Sequence, residues 1–305
     1  MNEASQIQPA YVYMMRCQNG TLYTGWTNDL LHRVKAHTSG TGAKYTKGFG
    51  GATLVYAQQQ ANKSQALKRE AAIKKLSKQQ KEALAQAFDP AAFVMIKPAV
   101  LADAEGIRGI FDYYVHHSTA SFLYDTPTVE HYRRELRTTG KKLPYLVACN
   151  AKGELLGYAC AHPWRYGTDA YAWDTETTIY LVPSARRLGV GRMLYHALLA
   201  ALKAQGYWNA YAVLADPNPA SEAFHTKFGF VCEGRQRRTG WKNGWQGVSY
   251  WLLDLCPNNQ QPPERTPQPL PKDRLANIAA AAALGYGWQQ ISCEPLQNET
   301  SEDKQ

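Results

Sequence analysis

The sequence predicts two folded units in series: an α+β unit over residues 1–88, then a larger α/β unit with a mixed sheet flanked by helices over 93–256. A Pro-rich linker and a disordered tail over 257–305 are expected to follow. Three observations carry this reading. A chain of 305 residues suits about two domains, each large enough to bury its own core. Charge is unevenly placed: residues 1–90 hold 12 Lys and Arg against 5 Asp and Glu, a net +7, which leaves +2 for the rest. The hydrophobic pattern also changes across QAFDPAAF, residues 86–93, where Asp89-Pro90 ends a helix.

In order, Tyr11 to Met15 is β-prone, Asn19-Gly20 favours a tight hairpin turn, and Thr21 to Gly25 returns. Thr27 or Asn28 is the expected cap of a helix carrying Leu30, Leu31 and Val34 at helical spacing. A Gly/Lys-rich loop (38–51) and a short strand at Thr53–Ala57 come next. Ser64 then opens a basic helix with Ala66, Leu67, Ile73 and Leu76 on its apolar side. Beyond Phe93 the pattern reads strand (93–97), helix (101–117), helix (128–137) and paired strands near 144–149 and 155–163. A long strand (173–182), a helix from 189, a strand (208–215), a helix (218–227) and two final strands complete it. That order implies an antiparallel start and one βαβ crossover. Residues 257–271 hold six prolines, and an Ala-rich stretch at 275–284 makes one short helix.

Composition excludes several classes. No run of about 18 apolar residues occurs, so no membrane span is expected. The N-terminus lacks the basic-then-apolar order of a secretory signal. Six scattered cysteines without a CxxC pair argue against zinc ribbons and disulfide scaffolds and suit a reducing, cytoplasmic setting. The basic first unit suggests a polyanionic partner, although a solvated basic surface has the same composition.

Arg186-Arg187-Leu188-Gly189-Val190-Gly191 lies between a β-branched strand and a helix of good formers. Glycines there let a ligand approach the backbone, and a helix N-terminus offers free N–H groups to a pyrophosphate. A Gly-containing strand-to-helix turn is also common without a ligand, so the neighbouring segments decide. Arg186, Gly189 and Gly191 match R/Q-x-x-G-x-G/A of the GNAT acetyltransferases, which this region resembles. STASF (118–122), TPT (126–128), YAWDTETTIYLVP (171–183), NPASEAFHTKFGF (218–230) and TGWKNGW (239–245) resemble the phosphinothricin N-acetyltransferase branch.

That resemblance implies acetyl-CoA as cosubstrate. Backbone amides from Arg187 through Leu188, Gly189, Val190 and Gly191 to Arg192 would cradle its pyrophosphate, with charge from Arg186 or Arg187. Leu181 and Val182 would line the pantetheine path, with Asn218 and Ser221 as further cofactor contacts. Glu176 matches the catalytic carboxylate and His225 a residue near the thioester sulfur, able to protonate the leaving thiolate. An amine attacks a thioester only when neutral, so a carboxylate base beside it is worth about 10²–10⁴-fold. No acyl-cysteine is required, and no Cys–His arrangement is evident in the sequence. Trp241 and Trp245 stand where the branch often shows basic residues, which alters the expected pocket. The substrate implied is a small amine, amino-acid-like, and many relatives of this type are homodimers.

The first 85 residues or so resemble the small bacterial GIY-YIG proteins. Tyr11-Val12-Tyr13 and Tyr23-Thr24-Gly25 stand for the two tripeptides, followed by Arg33, His37 and, on the second helix, Glu70. GAKYTKG (42–48) and SQALKREAAIKKLSKQQK (64–81) also fit that group. The resemblance implies a divalent metal such as Mg2+ at Glu70, water activation by Tyr13 or Tyr23, and phosphate contact by Arg33, with His37 one helical turn on. Lys44, Lys47, Lys68, Lys74 and Lys75 are candidate nucleic-acid contacts. Tyr11 replaces the first glycine, and the asparagine that often follows the glutamate is missing. Two readings stand: a metal-dependent endonuclease, or a non-catalytic nucleic-acid-binding module that brings the acetyltransferase to a macromolecular target.

Overall fold

A computed structural model describes residues 3–39, 51–257 and 266–291. The candidate contacts Lys44 and Lys47 lie outside them. Strands β1 (Ala10–Cys17), β2 (Leu22–Thr27) and β3 (Ala52–Gln60) form an antiparallel sheet of order β2-β1-β3. Helix α1 (Leu30–Thr38) is capped by Asp29, whose side chain accepts from the His32 amide at 3.0 Å. The expected cap, Thr27, instead uses its hydroxyl to accept from the Asp29 amide. The basic stretch after β3 is two helices, α2 (Lys63–Lys74) and α3 (Lys78–Gln86). Asn62, not Ser64, caps α2. Ser77 and Gln80 form a reciprocal capping box that starts α3, because each side chain satisfies an amide the helix cannot.

The second sheet has order β4-β5-β6-β7-β8-β10-β9. Its strands are β4 (Val94–Pro98), β5 (Tyr145–Asn150), β6 (Leu155–Pro163), β7 (Asp174–Leu181), β8 (Asn209–Asp216), β9 (Val231–Trp241) and β10 (Trp245–Asp254). The one parallel pair, β7 with β8, is bridged by α7 (Val190–Gln205), the crossover that the strand–helix–strand pattern requires. Helices α4 (Ala104–His117), α5 (Val129–Arg137) and the single turn α6 (Thr139–Lys142) precede β5, and α8 (Pro219–Thr226) precedes β9. The sheet has a core on each side. Leu194, Leu198, Leu199 and Leu202 of α7 pack with Leu146, Ala148 and Ala159. Ile107 and Ile110 of α4 pack with Tyr132, Tyr145, Val147 and Tyr158 on the other face.

The short helix expected in the Ala-rich stretch is present and the segment around it is packed rather than a free tail, while residues 258–265 and 292–305 lie outside those described. Residues 266–291 are packed, with helix α9 (Lys272–Ala283) burying Ile278 and Ala279 to Ala282 against α7 and β4. The Ala-rich composition that reads as low complexity is what lets this helix approach closely. Trp288 and Ile291 are buried beside it, with the Trp288 amide donating to His196 Nδ1 at 3.2 Å. α9 also meets the first sheet: Gln59 Nε2 donates to the Ala280 carbonyl at 2.9 Å. Tyr11, Phe93, Met95, Cys149 and Ala151 share one apolar cluster, so the two sheets bury surface against each other. Among the described residues no helix is long and apolar enough to cross a membrane.

Candidate functional site

The second sheet opens at a fork. β7 pairs with β8 only over Asp174, Thr175 and Glu176, opposite Asn209, Ala210 and Tyr211. Beyond Glu176 the strands part. Thr177 holds the fork open, its hydroxyl donating to the Tyr211 carbonyl at 2.8 Å and meeting the buried Tyr195 hydroxyl at 2.7 Å. From Thr177 to Leu181, β7 therefore has a strand partner, β6, on one side only. An edge of unpaired backbone is a template for an extended, amide-bearing ligand.

Past the end of that edge lies an anion cradle. After the turn Pro183–Ala185, Arg187 and Gly189 take left-handed conformations at φ 64° and 81°. Helix α7 then begins with no side-chain cap. The first amide bonded back into it is that of Met193, to the Gly189 carbonyl at 3.1 Å. The amides before it, Leu188 to Arg192, lack intrahelical acceptors, which together with the helix dipole favours an anion. Gly191 is closely packed: a Cβ there would lie 3.2 Å from Leu181 Cδ1 and 3.5 Å from Phe224. Arg186 lies over the rings of Tyr113 and Tyr114.

Glu176 stands at the crotch of the fork, half-buried, and burial raises its carboxyl above the usual carboxylate value. Among the described residues no hydrogen bond or ion pair to it is recorded, so its lone pairs are available. A carboxylate in that condition is a stronger base than a solvated one.

The other predicted groups of this site are held differently. Asn218 Oδ1 caps α8 by accepting from the Ser221 amide at 3.2 Å. Buried His225 directs Nδ1 to the Ser221 carbonyl at 2.8 Å, and burial pushes its pKa down to about 4. Its proton sits on Nδ1, committed to that carbonyl, so the imidazole is neutral and ill suited to protonate a thiolate. Its ring packs against Tyr195, Phe224 and Phe230.

The structure also contains a Cys–His arrangement missed in the sequence. Cys160 Sγ lies 3.4 Å from His162 Nε2, and His162 Nδ1 lies 3.7 Å from Glu135. Cys160 and His162 are two apart on β6 and so share a face. That alternation was the available signal, whereas Glu135 comes from α5. Burial pushes the Cys160 thiol far up, so it stays protonated and unreactive. His162 lies directly across from Glu176 on the neighbouring strand.

The hairpin between β9 and β10 is tied to the end of α4 and the loop after it. Buried Lys242 donates to the carbonyls of Val115, Ser121 and Leu123 at 2.6, 2.7 and 3.0 Å. Tyr124 bonds the Trp241 carbonyl. The two tryptophans expected to reshape the pocket point outward instead, 59% and 58% exposed, edge to face at 5.5 Å.

On the first sheet, four predicted residues converge. Arg33 Nε donates to the Tyr13 hydroxyl at 2.9 Å, and that hydroxyl meets His37 Nε2 at 3.0 Å. Tyr23 packs on both the Tyr13 and His37 rings. Gly25 faces the Tyr13 hydroxyl, which a Cβ would approach to 2.8 Å. Burial lifts the Tyr13 phenol to about 12 despite Arg33, and burial with Arg33 lowers His37. Glu70 does not join them. It pairs with Lys74 at 2.7 Å on α2, which packs on Val12 and Met14, whereas Tyr13 belongs to the opposite face. Lys68, Lys74 and Lys75 are exposed. No group of three metal-binding side chains occurs among the described residues.

Comparison with known proteins gives these sites their context. The acetyltransferase (GNAT) family model matches residues 91–230, and the GIY-YIG catalytic domain model matches residues 9–83. Phosphinothricin N-acetyltransferase of Streptomyces viridochromogenes is 35% identical over 163 residues, covering 53% of this chain and 88% of that protein. A UPF0213 protein of Clostridium perfringens is 54% identical over 71 residues, covering 23% and 76%. The chain is a GNAT acetyltransferase with a GIY-YIG domain in front. L-methionine sulfoximine/L-methionine sulfone acetyltransferase of Pseudomonas aeruginosa is 32% identical to this acetyltransferase, covering 55% of the chain and 98% of the relative. The crystal structure of a phosphinothricin acetyltransferase from Sinorhizobium meliloti, in complex with AcCoA, aligns at TM-score 0.53 and 31% identity. It covers 57% of this chain and 95% of its own.

Proposed function

We propose that the chain transfers acetyl from acetyl-CoA to the amine of a small, amino-acid-like compound of the phosphinothricin or methionine sulfoximine type. Residues 93–256, with α9 packed on them, carry the reaction, and residues 1–88 form the second unit. The cradle from Arg187 to Arg192, with Arg186, holds the pyrophosphate, and the unpaired β7 edge that runs up to Leu181 and Val182 takes the pantetheine arm. Glu176 removes the proton from the bound ammonium. The freed nitrogen pair attacks the thioester carbonyl, the C–S bond breaks, the nitrogen gives up its second proton to solvent, and the leaving thiolate takes one from solvent. His225 is not assigned the acid role.

The observation that carries this reading is the unpartnered, half-buried Glu176 at the open fork. Its test is free-thiol release from acetyl-CoA across a panel of small amines, with Glu176→Gln alongside. Turnover on an amino-acid-like amine that falls at least about 100-fold in the variant supports it. An unchanged rate in Glu176→Gln removes the base assignment.

For the GIY-YIG unit, the Tyr13–Arg33–His37 cluster favours phosphodiester chemistry over simple binding, since a surface for binding alone needs no such buried polar network. Glu70 faces the other side of the sheet and is paired with Lys74, so a divalent ion at this cluster would be held by substrate phosphate and water. Such an ion would supply charge against the developing phosphorane. Cleavage of single- and double-stranded DNA or RNA, lost in Arg33→Ala with binding retained, supports the nuclease reading. Salt-dependent binding without cleavage under any divalent metal supports the delivery-module reading instead.

A further inference from the structure

The aromatic cluster beneath Arg186 contains a side chain that neither the motifs nor the relatives single out. Tyr114, in the last turns of α4, points its hydroxyl at the free edge of β7. It donates to the Leu181 carbonyl at 2.7 Å and accepts from the Leu181 amide at 3.3 Å. It also accepts from Arg186 Nη2 at 3.2 Å. One donated and two accepted bonds use the full capacity of a phenol.

The backbone explains why those groups are free. Opposite residues of an antiparallel pair turn N–H and C=O toward and away from each other in alternation. Val182 turns inward, its amide donating to the Leu156 carbonyl at 2.9 Å. Leu181, opposite Gly157, turns outward, into the space that β8 has left. Gly157 accommodates the kink, since a Cβ there would lie 2.3 Å from Leu181 Cδ2.

Tyr114 cannot readily swing away. Its ring lies 4.6 Å from that of Tyr180 and 5.4 Å from that of Tyr113, and the Arg186 guanidinium covers it at 5.4 Å. With Leu181 taken by a fixed hydroxyl, an extended ligand pairing along β7 has to leave the edge there. The nearest amide-rich surface is the cradle of Leu188 to Arg192. The same hydroxyl steadies Arg186, at the start of that cradle.

We propose that Tyr114 is a cofactor-positioning residue: it sets the point where the pantetheine arm leaves β7 and holds Arg186 toward the pyrophosphate. The inference rests on the acetyl-CoA reading above. The test is titration of the full-length wild type, Tyr114→Phe, Arg186→Gln and the double variant with acetyl-CoA, followed by steady-state kinetics. Phenylalanine keeps the ring and its packing, and thermal melts establish that the variants are folded.

Tyr114→Phe is expected to weaken acetyl-CoA binding about tenfold. Both kcat at saturating acetyl-CoA and the amine KM should stay within about twofold. Adding Tyr114→Phe to Arg186→Gln should cost less than it does alone, because the two share an interaction. Binding within about twofold of wild type, or tighter binding, overturns the inference, the latter marking the hydroxyl as an obstacle. Failure of the wild type to bind acetyl-CoA is a separate result, seen before any variant is made, and it removes the cofactor reading and this inference together.

Discussion

Replacing Lys242 by methionine probes how the hairpin between β9 and β10 is held. The ammonium is buried, and its three protons go to Val115, Ser121 and Leu123, one carbonyl at the end of α4 and two in the loop after it. Burial lowers its pKa. A hydrogen bond to a charged group contributes about 1.5–3 kcal/mol, and desolvating the ammonium takes back several kcal/mol. Methionine fills much of the same volume but leaves three carbonyls without a donor, so the net loss should be about 3–5 kcal/mol. In a unit of this size 1 kcal/mol moves Tm by about 2–4 °C, which puts the expected drop near about 10 °C. Thermal denaturation followed by near-UV circular dichroism reads it. The amine KM should rise as the hairpin and the 118–125 loop part, with acetyl-CoA affinity unchanged. A Tm within about 1 °C of wild type would show that water replaces the ammonium and would refute the argument.

Further outcomes are expected. The acid limb of kcat should fall with a midpoint above that of an ordinary glutamate, because Glu176 must be deprotonated to act and burial raises it; a midpoint at or below the ordinary value removes the desolvation argument. His225 is neutral in the fold with its pKa lowered to about 4, so the unfolded chain binds its proton first as pH falls. Stability should therefore decline from about pH 6.5 down to about 4, by up to about 3 kcal/mol from this residue, and denaturant titrations of His225→Asn should show a flatter profile. Gly191→Val should weaken acetyl-CoA binding at least about tenfold and lower the melt, since its branches would press on Leu181 and Phe224 at the mouth of the cradle. Tyr13→Phe should destabilise the first unit by about 1–3 kcal/mol by removing the hydroxyl that bonds both Arg33 and His37, read by hydrogen exchange at β1 amides.

Local signals made much of this legible. Asn19-Gly20, the β-branched run ending at Leu181 and the glycines at 189 and 191 each specify a backbone geometry on their own, and each stands where the pattern puts it. Caps were harder. Thr27, Asn28 and Asp29 are all good caps, and only the geometry after β2 selects Asp29. The Ser77–Gln80 box was readable as S-x-x-Q but lay inside a continuous helical pattern. Long-range pairings left no local trace. Nothing near Lys242 names the three carbonyls more than a hundred residues away that it serves. Nothing near Tyr114 points to Leu181. The alanines of α9 indicated a short helix but not what it packs on, because a small side chain signals a close neighbour only once that neighbour is known.

Helix α9 has a consequence for how the chain is made. It follows the sheet it covers in the sequence, so a ribosome releases β4 and α7 well before their partner exists. During that interval the apolar faces of Ile96, Leu198 and Leu202 stand open to solvent and to neighbouring nascent chains. The GIY-YIG sheet, also without its Gln59 bond to Ala280, waits for the same helix. The length of the Pro-rich stretch before α9 sets how much more chain must follow before those apolar faces are covered.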